Sequence, residues 1–208
     1  MRIKTSALVI ALGLPVVAGA QATTDTLSLA GRTNIMFGIG LTGSRDAAAR
    51  PGQATTHTTG EVGSFGFNHW VRPEIAVQIT ASVLNADATA DVGRAHTNAI
   101  APILFGVSYS PRALALTPSI RPFVSGAVGP YFHTVSDASP GKASTTTESV
   151  AGARLAVGTN WFVAKHFMLS VEGDYNAVGR FSEQDAVTAS PSGFGMLFGF
   201  GFSWGGKY

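Results

Sequence analysis

From Asn34 onward the chain alternates apolar residues with small or polar ones at a period of two, the repeat of a strand whose faces meet different surroundings. Ile35, Phe37, Ile39 and Leu41 point one way; Asn34, Met36, Gly38, Gly40 and Thr42 point the other. Ile75, Val77, Ile79, Ala81 and Val83 oppose Ala76, Gln78, Thr80 and Ser82, and Ile103, Phe105, Val107 and Tyr109 oppose Gly106, Ser108 and Ser110. Phe167, Leu169, Val171 and Tyr175 are set against Ser170, Glu172, Asp174 and Asn176. The last segment is the clearest, with Phe194, Met196, Phe198, Phe200, Phe202 and Trp204 on one face and Gly195, Leu197, Gly199, Gly201 and Ser203 on the other. Noisier segments lie at 61–70, 119–134 and 149–162. In the third of these Ala153, Leu155, Val157 and Trp161 form one face, and Gly152, Arg154, Gly158 and Asn160 the other. The pattern predicts eight strands and leaves the phase of 119–134 open.

The connections add a second regularity. Those at 43–60, 85–98, 136–149 and 179–192 are long and rich in Thr, Ser, Ala, Asp and Gly, whereas those at 71–74, 111–118 and 163–166 are short. Long and short alternate, so one end of the assembly has tight turns and the other has long loops. Outer-membrane barrels have this asymmetry, with short periplasmic turns. Trp70, Tyr109, Trp161 and Trp204 close the even-numbered strands and are expected in a belt at the short-turn rim, with Tyr131 and Tyr175 nearer the loop rim. A strand of about 10 residues tilted by about 40° spans about 25 Å, the height of an outer-membrane apolar band. Backbone groups in lipid must pair internally, so the sheet should close. The expected fold is all-β, an eight-stranded antiparallel up-and-down transmembrane β-barrel.

Magnitudes decide which face meets lipid. An eight-stranded barrel has an interior only wide enough for packed side chains, and five large aromatics from the last strand would overfill it. Gly, Ala, Ser and Thr suit the narrow lumen. Arg154, Glu172 and Asp174 share that small-residue face, and an arginine in mid-bilayer lipid costs about 2–4 kcal/mol. Phe37, Ile39 and Val77 are therefore expected to face lipid. Inside, a hairpin turning near Ala164 and Lys165 brings Arg154 within cross-strand reach of Glu172 and Asp174. This predicts a buried ionic network, assisted by Gln78 and Asn176, that fills the lumen as a structural plug; a polar pore wall is the functional alternative. Pro102, Pro122 and Pro130 each remove a ladder donor. The first two are placed near strand starts, the third at a bulge or where the fifth strand leaves the bilayer.

Composition narrows the reading. Among 208 residues 45% are hydrophobic, 12% are charged and none is cysteine, which excludes a disulfide scaffold and a thiolate metal site. The formal net charge of +2 comes from the N-terminus: without Arg2 and Lys4, 12 Lys and Arg face 12 Asp and Glu. No basic surface is left to bind nucleic acid. Arg2 and Lys4, the apolar run from Ala7 to Leu14, and a small-residue site at Ala18-Gly19-Ala20 or Ala20-Gln21-Ala22 form the three parts of a secretory signal. Residues 1–22 are read as that signal and 23–208 as the barrel domain.

The stretches Ile120-Arg-Pro-Phe-Val-Ser-Gly-Ala-Val-Gly-Pro-Tyr131, Phe167-Met-Leu-Ser-Val-Glu-Gly-Asp-Tyr175 and Gly195-Met-Leu-Phe-Gly-Phe-Gly-Phe202 resemble the eight-stranded outer-membrane β-barrel domain of OmpA-like, OmpX-like and OmpW-like proteins. The resemblance spans the mature chain. It implies an outer-membrane location, contact with outer-membrane lipid and lipopolysaccharide, a monomer, and a C-terminal strand read by the barrel-assembly machinery. Phe202, Trp204 and Tyr208 would carry that last signal, although Gly205-Gly206-Lys207 interrupts it. It also implies a role in envelope integrity and loop-mediated surface contact, or alternatively a narrow channel for small hydrophobic or polar molecules.

No catalytic residue is assigned. The five histidines, His57, His69, His96, His133 and His166, show no metal-ligand spacing, and neither a nucleophile elbow nor a phosphate loop occurs. Neither a metal nor a cofactor is expected. Ser64, Ser170 and His133 are the residues a lipid-modifying activity would draw on.

Overall fold

The computed structural model describes residues 28–46, 57–91, 94–179, 181, 189–190 and 192–206. Residues 1–22, read above as a secretory signal, and Tyr208 lie outside the described residues. The strands are β1 (Arg32–Asp46), β2 (His57–Trp70), β3 (Ile75–Val83), β4 (Asn85–Asp91), β5 (Arg94–Tyr109), β6 (Ile120–Ser139), β7 (Lys142–Ala164), β8 (Phe167–Val178), β9 (Ala189–Ser190) and β10 (Gly193–Gly205). They make eight staves, because β4 continues β3 past Leu84 and β9 prolongs β10 along β1. Every stave pairs antiparallel with its sequence neighbour, and β10 closes on β1 from Arg32 opposite Gly205 to Thr42 opposite Gly195. Closure leaves the membrane-height backbone without an edge.

The register fixes the stagger. Asn34 faces Asn68, and the row continues through Gln78, Gly106, Ala127, Arg154 and Asn176 to Gly193. Gly193 lies two residues before Gly195, the partner of Thr42, so the row returns to β1 ten residues above its start. That offset tilts the strands by about 40°.

The outer face is the apolar one. Phe37, Ile39 and Val77 are 41%, 74% and 45% exposed, and Phe105, Val128, Leu155, Phe198 and Phe202 share their side of the wall. Aromatic pairs run across the seam, with Phe37 stacked on Phe200 (centroids 5.7 Å apart) and edge-on to Phe65 (5.5 Å). The phase of β6 is now set: Arg121, Ser125, Ala127, Tyr131 and His133 are buried inward, while Val124 and Val128 face out.

Three expectations need correction. Trp70 is not in the rim belt. It is 1% exposed, on the lumen face that β2 gives to Ser64, Gly66 and Asn68, and packs with Leu29, Ala76, Phe162 and Met168. Burial of the large ring outweighs its preference for the interface, and with the Asn34 amide turned so that its oxygen faces the ring, that oxygen accepts the indole N–H at 3.1 Å. Tyr109, Trp161 and Trp204 do face outward at that rim.

The segments 85–98 and 136–149 are largely strand rather than loop. The β4–β5 and β6–β7 ladders continue to Asp91 opposite Arg94 and Ser139 opposite Lys142. Past the apolar band a strand keeps its backbone bonds but no longer needs a greasy face, so the two-residue hydrophobic signal stops before the strand does. Side-chain ladders replace it, with Thr134 beside Thr147 and Ser136 beside Thr145, each pair 3.2 Å apart.

The prolines also sit differently. Pro102 lies mid-strand rather than near a strand start, and the β6–β7 ladder runs through Pro130 with no shift of register. Pro102 borders and Pro130 lies within an interruption in the β5–β6 ladder, between the pairs Pro102–Tyr131 and Phe105–Val128, with one register on both sides. The absent proline donors are thus concentrated in one gap. There Gly129 lets the strands close up: a Cβ on it would meet the Ile103 carbonyl.

Candidate functional site in the barrel lumen

The lumen is layered. At the short-turn end Leu29, Trp70, Ala76, Phe162 and Met168 form an apolar plug. Arg32 braces it, donating from Nε to Ser203 Oγ (3.0 Å) and from Nη2 to the Lys165 carbonyl (2.6 Å), with its guanidinium 5.2 Å above the Phe162 ring. Toward the long hairpins Val62, Leu84, Ile100, Leu104, Ala127, Tyr131 and Leu197 form a second apolar cluster, against which Val150, Val178 and Phe181 pack. Between the two lies the polar layer.

Arg154 is the centre of that layer. Its Nη2 donates to Glu172 Oε1 and to Asp174 Oδ2, the latter at 2.8 Å. Asn176 Nδ2 donates to Asp174 Oδ1 at 2.9 Å, and Tyr131 donates its hydroxyl to Asn176 Oδ1 at 2.7 Å. The register explains the geometry. Arg154 stands directly opposite Asn176, with Asp174 and Glu172 two and four residues further along β8 on the same face, so the long guanidinium side chain lies along β8 and reaches both carboxylates. Gly195 makes room for it, because a Cβ there would lie 2.7 Å from Asp174 Oδ1. The Arg154, Glu172 and Asp174 side chains are 11%, 15% and 5% exposed. Buried ions of this kind need both charge pairing and hydrogen bonds to offset desolvation.

Four of the five residues expected in the network, Arg154, Glu172, Asp174 and Asn176, are in one connected chain. Gln78 is buried and lines the same cavity, but no described hydrogen bond joins it to the ions. Tyr131 is the member the sequence did not reveal, because the phase of its strand was open. The cavity below the ions measures about 60 Å³, enough to admit water. Ser64, Asn68, Gln78, Asn160 and Ser170 line it, and Asn68 Oδ1 and Asn160 Oδ1 have no partner among the described residues.

The histidines do not converge. His69 contacts the Thr33 hydroxyl (3.0 Å), His166 the Ser203 carbonyl (2.9 Å), and the His133 ring lies tilted against Phe181, centroids 5.1 Å apart. The His57 and His96 side chains lie outside the description. Among the described residues no three His, Asp or Glu side chains gather at a metal-binding separation.

Solved structures define the class of this fold. The chain is similar to the outer membrane protein OprG of Pseudomonas aeruginosa (TM-score 0.57, 14% identity, covering 86% of this chain and 98% of that one). It is similar to Neisserial surface protein A (0.54, 10%, 84% and 96%) and to the attachment invasion locus protein Ail of Yersinia pestis crystallised with a heparin analogue (0.53, 12%, 84% and 99%). No protein-family profile and no curated protein matches the chain. The fold is that of the eight-stranded outer-membrane β-barrels.

Proposed function

We propose that the chain is an integral outer-membrane protein that acts without catalysis, serving envelope integrity and surface contact through its long hairpins. One observation carries this reading: an unbroken belt of exposed apolar side chains surrounds a lumen blocked by two apolar clusters and an ion network. Such a belt is unstable in water and suited to lipid. In this reading the short turns face the periplasm, outer-membrane lipid and lipopolysaccharide cover the belt, and the protein is a monomer. Phe202 and Trp204 point outward on the closing strand, where, with Tyr208, they would serve the assembly machinery; residues 1–22 would direct export.

The test is electrophoretic. The folded protein should resist SDS at room temperature and change mobility on boiling, and a protein that remains monodisperse in buffer without detergent would refute the proposal. Planar-bilayer recordings address the channel alternative: the blocked lumen predicts no reproducible open steps. Mass spectra of lipid A with and without expression address a lipid-modifying activity at Ser64, Ser170 or His133, and an unchanged profile is expected.

A further inference from the structure

The two short connections at 71–74 and 110–119 are fastened to each other. The Arg112 N–H donates to Glu74 Oε1 at 2.8 Å and the Ser110 N–H to the Glu74 carbonyl at 2.8 Å. Arg121 Nη2 reaches the Pro73 and Ser110 carbonyls, each at 3.4 Å. The result is one platform rather than two independent turns.

Its surface combines cations with exposed aliphatic groups. Arg72 and Arg112 are exposed, neither joins an ion pair among the described residues, and Glu74 is the single carboxylate on these connections. The long connections differ, holding seven acids and five bases between them. Beside the arginines, Val71, Leu114 and Leu116 are 52%, 59% and 65% exposed. Val71 follows the end of β2 and the two leucines follow Tyr109, the last outward residue of β5, so all three lie past the belt. Exposed leucines beside arginines gain little from water. A headgroup layer receives both, aliphatic groups at the acyl boundary and guanidinium groups on phosphate.

We propose that this platform docks anionic phospholipid headgroups of the leaflet at the short-turn end, with Arg72 and Arg112 taking the phosphates and Val71, Leu114 and Leu116 seated at the acyl boundary. The proposal rests on the membrane-barrel reading above. A basic residue at an anionic surface contributes about a fivefold factor in association, so two arginines should give a preference on the order of tenfold or more at low salt.

Trp161 is a built-in reporter. It pairs with Ile120 at the end of the 110–119 connection and is 47% exposed, whereas Trp70 is buried. In a Trp204→Phe background the protein is reconstituted in vesicles of phosphatidylcholine with phosphatidylglycerol, one lipid at a time carrying brominated chains that quench tryptophan. Brominated phosphatidylglycerol should quench Trp161 more than brominated phosphatidylcholine at equal mole fraction. The preference should collapse toward unity in 0.5 M salt and in Arg72→Gln/Arg112→Gln. Equal quenching in the parent protein, or a preference that persists in the double variant, overturns the docking proposal. Quenching by neither lipid, with no mobility change on boiling, instead overturns the barrel reading.

Discussion

Tyr131 on β6 donates its hydroxyl to Asn176 Oδ1 on β8 at 2.7 Å, across the intervening strand β7. The bond ties the upper apolar cluster, of which Tyr131 is a fully buried member, to the ion network beneath it. Tyr131→Phe keeps the ring and removes the donor, leaving Asn176 Oδ1 without that bond. A loss of about 1–3 kcal/mol is expected, read as a lower urea midpoint in vesicles. An unchanged midpoint would mean that the hydroxyl is not coupled to the network.

Arg154 holds two carboxylates, so its removal should be worse than removal of the whole set. Arg154→Met leaves Glu172 and Asp174 side by side and without their counter-ion in the lumen, with an expected loss of about 3–5 kcal/mol. Arg154→Met/Glu172→Gln/Asp174→Asn removes all three charges and should recover most of that stability. Equilibrium unfolding of both proteins checks the ordering, and a triple variant less stable than the single one would contradict the plug interpretation.

Much of this arrangement was legible in the alternation. Where a strand crosses between lipid and a narrow lumen, the two environments impose opposite demands on neighbouring residues, and β1, β8 and β10 show it without ambiguity. The ions could be placed because lipid excludes them from the other face. Tyr131 and Trp70 were not legible for a related reason: large amphipathic rings satisfy either face, and only the phase of β6 and the packing around Leu29 and Phe162 decide. The hairpin extensions are not legible because hydrophobic periodicity reports surroundings, and it disappears once both faces meet water although the backbone ladder continues.

The depth of the apolar belt gives a graded prediction. Phe198 and Phe194 both point outward on β10, 53% and 75% exposed, four residues apart. Phe198 pairs with Ile39 and Val171 in mid-wall, whereas Phe194 lies beside Tyr175, nearer the long hairpins. Phe198→Arg should cost about 2–4 kcal/mol in a bilayer and Phe194→Arg about 0–1 kcal/mol. Comparable costs at the two sites, measured by unfolding from vesicles, would show that the belt does not span lipid in the stated orientation.

Gly195 tests whether close approach or backbone freedom explains the glycines of the lumen face. It is not among the glycines with positive φ, so alanine meets no backbone strain there. What alanine meets is the Asp174 carboxylate, 2.7 Å from its Cβ. Gly195→Ala should therefore destabilise the protein by about 1–3 kcal/mol through crowding of the ion network. The same substitution in an Asp174→Ala background should cost much less, because the crowded group has been removed. The coupling energy from that double-mutant cycle is the decisive quantity. Additive effects would locate the requirement for glycine somewhere other than the contact with Asp174.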